Sequence, residues 1–591
     1  MKVQRYVPLI ALLAASAVWA TPAHAAKETI SDNNVLMRAL ADEINRSMEL
    51  RMEDLEQPYF IQYNVNDVIG YEMYAKYGAM IHSNRDRDRR FRSLVRVGSY
   101  ELDNTNFRES GGFFAFFGGG GGGGARASLP IDDDYMAIRQ AIWQATDRDY
   151  KDAVETLTKK RAYLKDKTIE DRSNDFSKAS PMEHMDPSVA MEFDRALWEK
   201  NLETISGYFK KYEQVQDSGA RLVVQADNEY VVNSEGSRVR TSDSGVLLLI
   251  NAEVQAEDGM MLASSRSYTG ESTADLPPMQ EILSDVDEMV AKLTAAMEAP
   301  TVDQYTGPIL FDGRSAAQMF QVMLAPGVVG KPDVVGEQRR SFEGAESLEK
   351  KLGTRILPRS FRIWDDPTVR KHDGKMLFGY YKYDDDGVPA QRVDIVVDGK
   401  LENMCMSRVP TKKLSGTNGH CRQAAGGGGA EAAIGTLFIE DENGMPEKDL
   451  KAELIELAKD EGLEYGVRIK SIKTPGITSS RSDLMSFFMR MQTTGGSTLG
   501  DPVIAYKVHV KDGKEEPFRG CEFGAFEVRS LKQIAAAGDT PEVYNYIGLG
   551  FGGATPASTI IAPPVLFEEL ELSKIEQEYD KLPILKAPTS R

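Results

Sequence analysis

Side chains able to hold a metal or attack a bond are few in this chain, and they are scattered. Beyond the first 25 residues histidine occurs only at 82, 184, 372, 420 and 509, and cysteine only at 405, 421 and 521. A zinc site wants three or four His, Cys or carboxylate ligands, some at short fixed spacing. No two histidines here lie close in sequence, so a metal site would have to be assembled from distant residues. His372 in "KHDGK" and His509 in "KVHVKDG" sit beside turn signals and read as surface residues. "TNGHCR" is denser: Asn418 and Gly419 make a turn, and His420 and Arg422 leave it. That stretch admits two readings, an ordinary hairpin or a loop that contacts a ligand.

Other chemistry is less well represented. No G-x-S-x-G occurs, and "CEFG" at Cys521 lacks the helix start or basic neighbours that lower a thiol pKa. "AAGGGGA" at 424–430 is not followed by the G-K-[ST] of a phosphate loop. Asp384, Asp385 and Asp386 gather carboxylates, but Gly387 after them predicts a solvated turn. Cys405 and Cys421 could pair across a short loop in an oxidising compartment, or all three thiols could be packing residues.

The elements that must position these groups alternate between helical and strand patterns. "SDNNVLMRALADEINRSMEL" has caps followed by apolar residues at i+4 steps and predicts a helix. "PYFIQYNVNDV" and "YEMYAKYGAMIH" predict two strands, and "FRSLVRVGSYELDNTNF" continues the sheet. Helices are expected over about 130–167, 188–212 and 277–298, with strands and a turn at Ser234–Gly236 between the last two. "GRSAAQMFQVMLAPGVVG" places Ala316, Met319, Phe320, Met323 and Leu324 on one helix face, and Pro326 stops that helix. Later segments are strand-rich, with Asp-Gly hairpin signals at 386–387, 398–399 and 512–513 and one amphipathic helix, "EKDLKAELIELAKDEG". The fold class is α+β: a mixed helix–sheet N-terminal domain over 26–300, then a mainly β domain over 301–591. The boundary falls at "APTVDQYTGPILF".

The bulk numbers narrow the function. A chain of 591 residues needs more than one core, and a net charge of −19 argues against a nucleic-acid partner. Residues 1–25 carry Lys2 and Arg5, the apolar run "VPLIALLAASAVWA" and an Ala23-His24-Ala25 cleavage site, the pattern of a secretory signal peptide. The protein is expected to be exported, to the periplasm in a Gram-negative cell and otherwise secreted, with no transmembrane segment. The stretch 111–124 sets four phenylalanines before seven consecutive glycines. It reads either as a mobile insertion whose aromatics cover a neighbouring surface, or as an apolar lid or contact loop for a partner or peptide.

From Tyr305 onward the chain resembles the TldD/PmbA (TldD/TldE) metalloprotease family. The blocks that carry this are "GPILFDGRSAAQMFQ", "DDDGVPAQRVDIVVDGKL", "SGTNGHCR", "LFIEDENGMPEKDL", "YKVHVKDGKEEPFRGCEFG" and "PASTIIAPPVLFEELEL", in family order. The resemblance implies a two-domain fold, an oligomer and a role in degrading peptides. In metal-bearing members the helix after the first C-terminal strand carries H-E-x-x-x-H, and a late glycine-rich segment adds a cysteine. Here the two histidine positions fall on Gln321 and Pro326, the glutamate position falls on Val322, and "YIGLGFGGATP" has no cysteine. The chain therefore resembles the TldE/PmbA kind of subunit. The resemblance implies no catalytic residues and no cofactor or metal bound by this chain, and zinc in a TldD-like, HExxxH-bearing partner. Peptides or unfolded proteins are the implied substrate, and Asn418, His420 and Arg422 are the loop candidates for contacting it. The alternatives are a peptide-binding scaffold without a protease partner, or a metallopeptidase with a nonstandard site.

Overall fold

The computed structural model describes residues 34–52, 55–108, 126–167, 171–336, 347–423, 430–473, 499–547, 549–550, 553–554, 556–576, 579–580 and isolated later positions. The signal segment and the Phe/Gly stretch 111–124 lie outside the described residues.

Helix α1 (Val35–Ser47) begins where Asn34 accepts a hydrogen bond from the Met37 amide at 2.8 Å, satisfying one of the free N–H groups of the first turn. Strand β1 (Pro58–Lys76) is a single strand where the sequence predicts two. Gly70 weakens the local pattern, but the backbone stays paired on both sides through it. The chain reverses at Tyr77 and Gly78, both at positive φ, into β2 (Ala79–Val97). Helix α2 (Tyr135–Asp166) follows, then α3 (Arg195–Tyr208). The sequence predicts a start near 188 for α3, but Asp194 caps it by accepting from the Leu197 amide at 2.9 Å. The residues before it are spent otherwise, with Glu183–Met185 adding a short parallel strand to the sheet.

Strands β3 (Val215–Asn233), β4 (Arg238–Gln255) and β5 (Met261–Gly270) complete this first sheet, in which β2, β1, β3, β4 and β5 are successive antiparallel neighbours. The turn at Ser234–Gly236 forms as predicted, with Gly236 at φ 107°. One face of the sheet is covered by helices. Ile61, Tyr63, Val65, Tyr230 and Val232 pack on α1 and α2; Met73, Leu222, Val224, Leu248 and Ile250 pack on α3 and on α4 (Met279–Glu298).

Beyond this sheet the described residues form two further large sheets, beside short two-stranded ladders. Strand β6 (Gln304–Phe311) leads into helix α5 (Gly313–Met323). The second sheet contains β7 (Phe361–Asp365), β8 (Val393–Val397), β9 (Thr436–Asp441), β12 (Ser558–Ala562) and β11 (Glu542–Tyr546), in the spatial order β8-β7-β9-β12-β11. In the third, β6 lies between β10 (Tyr465–Ile472) and β13 (Val565–Lys574). The Asp398-Gly399 hairpin forms with both residues at positive φ, and the third Asp-Gly signal joins Pro502–His509 to Glu515–Phe518. Helix α5 packs between the two sheets, and Ala316, Met319, Phe320, Met323 and Leu324 are fully buried in their shared core. Helix α6 (Glu447–Asp460) covers the outer face of the third sheet through Leu450 and Leu454, against Leu310, Val508 and Leu566. The architecture is α+β. Among the described residues no helix is long and apolar enough to cross a membrane.

Candidate functional site

Helix α5 starts under electrostatic control rather than from a side-chain cap. The Asp312 carboxylate instead takes a bidentate pair from Arg468 on β10, at 2.7 and 3.1 Å. Ser315 donates to the Ile469 carbonyl at 2.6 Å, and Gln318 accepts from the Ile472 amide at 3.1 Å. These contacts fix which face of α5 meets β10. Gln321 and Val322 lie half-buried on α5, and Pro326 sits in the single 3-10 turn Ala325–Gly327 that ends it. Val322 packs against the core, and the Gln321 Oε1 is buried without a hydrogen-bond partner among the described residues. An amide oxygen, an isopropyl group and a pyrrolidine do not make a hydrolytic zinc site, since they supply neither imidazole ligands nor a base.

The chain leaving α5 runs directly to a second constellation. Val329 bridges to Cys405: the Cys405 amide donates to the Val328 carbonyl at 3.0 Å, and the Gly330 amide donates to the Cys405 carbonyl at 2.8 Å. The Cys405 thiol, His420 and Asp365 at the end of β7 meet there, with one donor atom from each inside 4.8 Å. His420 Nε2 is 3.0 Å from Asp365 Oδ1, which also accepts from the Gly435 amide at 3.1 Å. His420 Nδ1 faces the carbonyl and side-chain oxygens of Asn418, at 2.9 and 3.0 Å. Asn418 is itself braced, accepting from the Met406 amide and donating to the Met404 carbonyl at 2.8 Å. Arg422 stacks its guanidinium on the Tyr381 ring, 4.2 Å from the centroid. The Thr417–Arg422 turn thus carries His420 into the interior, fully buried.

The three cysteines are free thiols, all buried. Burial pushes the Cys405 and Cys421 thiols well above their ordinary range and Cys521 up to about 12. None is an activated nucleophile.

The Asp384–Asp386 run does build a turn, but it is not solvated. Asp384 and Asp386 are 1% and 5% exposed. Asp384 accepts from the amides of Asp386 (3.0 Å), Val388 (2.8 Å) and Cys421 (2.9 Å), which is how its carboxylate tolerates loss of water. Burial still raises the Asp384 and Asp385 carboxyls above the usual range. The turn lies against the helix-free face of the first sheet, where Gln62 and Asn64 both donate to the Asp385 carbonyl, at 2.8 and 2.7 Å. On the same face burial pushes Asp227 up to about 7 and Glu229 up to about 8, with Asp385 adding repulsion to both. Arg408 anchors the same contact. It is fully buried, donates to the Ser177 carbonyl at 2.7 Å, pairs with Glu235 at 2.8 Å, and lies over Phe176 at 4.1 Å. Asp365, Cys405 and Arg408 carry no sequence signal for these roles, because the residues each one meets come from other segments of the chain.

The C-terminal geometry matches a known domain. Residues 304–487 fit the family model described as the PmbA/TldA metallopeptidase C-terminal domain. Residues 304–487 form a TldD/PmbA-family domain. Relatives of this chain include a protein named metalloprotease from Methanothermobacter thermautotrophicus, 29% identical over 200 residues, covering 33% of this chain and 40% of the relative. Another, from Archaeoglobus fulgidus, is 38% identical over 81 residues, covering 14% of this chain and 18% of the relative. The matched region therefore spans less than half the length of either relative. Among solved structures, TldE from Thermococcus kodakarensis superposes with a TM-score of 0.59 at 14% identity, over 90% of this chain and 100% of that one. A protein described as a putative modulator of DNA gyrase from Bacteroides thetaiotaomicron gives 0.56 at 12% identity, over 93% and 100%. At these identities the likeness establishes the fold of this chain and nothing finer.

Proposed function

We propose that this chain is the noncatalytic, TldE/PmbA-like subunit of an exported TldD/TldE-type metallopeptidase that degrades peptides or unfolded proteins. One observation carries the reading: on α5 and the turn that ends it, where the family resemblance implies a zinc helix, Gln321, Val322 and Pro326 stand at the motif positions. They can neither coordinate zinc nor activate water. The catalytic zinc then belongs to a TldD-like partner carrying H-E-x-x-x-H. The superposition on a protein named TldE supports a TldD/TldE-type partnership. The signal-peptide pattern at residues 1–25 supports export.

The test is reconstitution. The purified chain is assayed on unfolded peptides alone, with added zinc, and with an exported HExxxH homologue from the same host. Hydrolysis only in the pair, stopped by mutation of the partner's glutamate, is expected. Zinc-dependent hydrolysis by the chain alone overturns the reading. Failure of the two chains to associate favours a peptide-binding scaffold instead.

A further inference from the structure

We propose that Asp365, Cys405 and His420 form a zinc-binding centre with a structural role, separate from α5 and independent of the peptidase reading. Imidazole nitrogen, thiolate sulfur and carboxylate oxygen are the three donor types zinc takes from proteins. Here one of each converges within 4.8 Å, from three segments far apart in sequence. All three side chains are fully buried.

Two further observations point to a cation. His420 Nδ1 meets only the oxygens of Asn418, so it carries the proton, and Nε2 is aimed at Asp365. A metal-bound imidazole is held this way, one nitrogen donating to a carbonyl and the other free for the ion. Asp365 is the second. Its Oδ1 is engaged, but its Oδ2 is buried with no hydrogen-bond partner among the described residues. A bare carboxylate oxygen away from water is costly unless a charge meets it. That oxygen is the carboxylate's free donor; with the thiolate and the imidazole it makes three protein ligands, and a water would complete a tetrahedral ion. Zinc would deprotonate the buried Cys405 thiol on binding.

The competing arrangement is a simple ion pair, with His420 as imidazolium on Asp365 and Cys405 as a bystander. The two differ in whether Cys405 is used. The full-length chain, stripped of metal with a chelator, is titrated with cobalt(II) and then with zinc. Expected are one equivalent of cobalt, a sulfur-to-cobalt charge-transfer band in the near ultraviolet, displacement by zinc, and a zinc-dependent rise in Tm. Cys405→Ser should lose the band and weaken uptake by about tenfold or more, while Cys521→Ser should match wild type. Absence of uptake, uptake without the band, or unchanged affinity in Cys405→Ser overturns the proposal. Should Cys405→Ser fail to fold, the wild-type band decides alone, because only a thiolate ligand produces it.

Discussion

His420 Nε2 lies 3.0 Å from Asp365 Oδ1, and neither side chain is exposed to solvent. The contact joins the Thr417–Arg422 turn to the end of β7, two segments that share no secondary structure. Removing Asp365 strands a buried imidazole whose other nitrogen is already committed to Asn418. Asp365→Ala leaves His420 Nε2 and the Gly435 amide without their partner, so a cost of about 1–3 kcal/mol of unfolding free energy is expected, the penalty for buried polar groups left unsatisfied. Urea denaturation measures it; a cost under about 1 kcal/mol would mean the pair carries no weight.

Arg408 offers a parallel case between the first sheet and the C-terminal loops. It holds Glu235 and the Ser177 carbonyl at once, and lies over Phe60 and Phe176. Arg408→Met keeps much of the packing but leaves the Glu235 carboxylate with only the Tyr100 hydroxyl as partner, so a loss of about 2–4 kcal/mol is expected. Limited proteolysis should cut faster near Ser177 in the variant, because that segment loses its anchor.

Stability should depend on pH through Asp227 and Glu229. Their carboxyls rise to about 7 and about 8 because burial disfavours the charged form, with Asp385 repelling both and with Arg90 and Arg422 opposing the shift. In the unfolded chain both titrate near about 4. Between those values the folded state binds more protons, so its stabilisation is complete below about 4 and is lost as pH rises through about 7 and about 8. Tm should fall by several degrees from pH 6 to pH 9, and Asp227→Asn with Glu229→Gln should flatten that slope. A Tm that rises over the same interval contradicts the assignment.

The motif positions on α5 give a kinetic prediction. If Gln321 plays no chemical part, Gln321→Ala should change kcat/KM of the reconstituted pair by less than about twofold. A loss of a hundredfold or more would return this helix to the catalytic machinery.

Much of the fold was legible in the sequence because its signals are local. The Asp-Gly hairpins form where the turn residues stand, and α6 follows its apolar repeat. The errors have local causes too. Helix α3 starts later than the sequence predicts because the chain before Asp194 runs along the first sheet, with Glu183–Met185 paired to it and the Val189 backbone held by the Asn228 side chain. The Asp384–Asp386 turn was read as solvated because its acceptors find backbone amides only in the folded chain.

The sequence by itself determined the α+β class, the helix of "GRSAAQMFQVMLAPGVVG", and the side-chain types at Gln321, Val322 and Pro326. Residue identity is enough to say that a side chain cannot bind zinc or take a proton. Only the tertiary structure decided what His420 does. Its partners Asp365 and Cys405 lie 55 and 15 residues away in sequence, and spacing at that distance carries no geometric information. Chain reversals at Gly387 and Gly419 and the sheet order around β7 bring them together. The resulting burial, which no single residue encodes, takes all three side chains out of water.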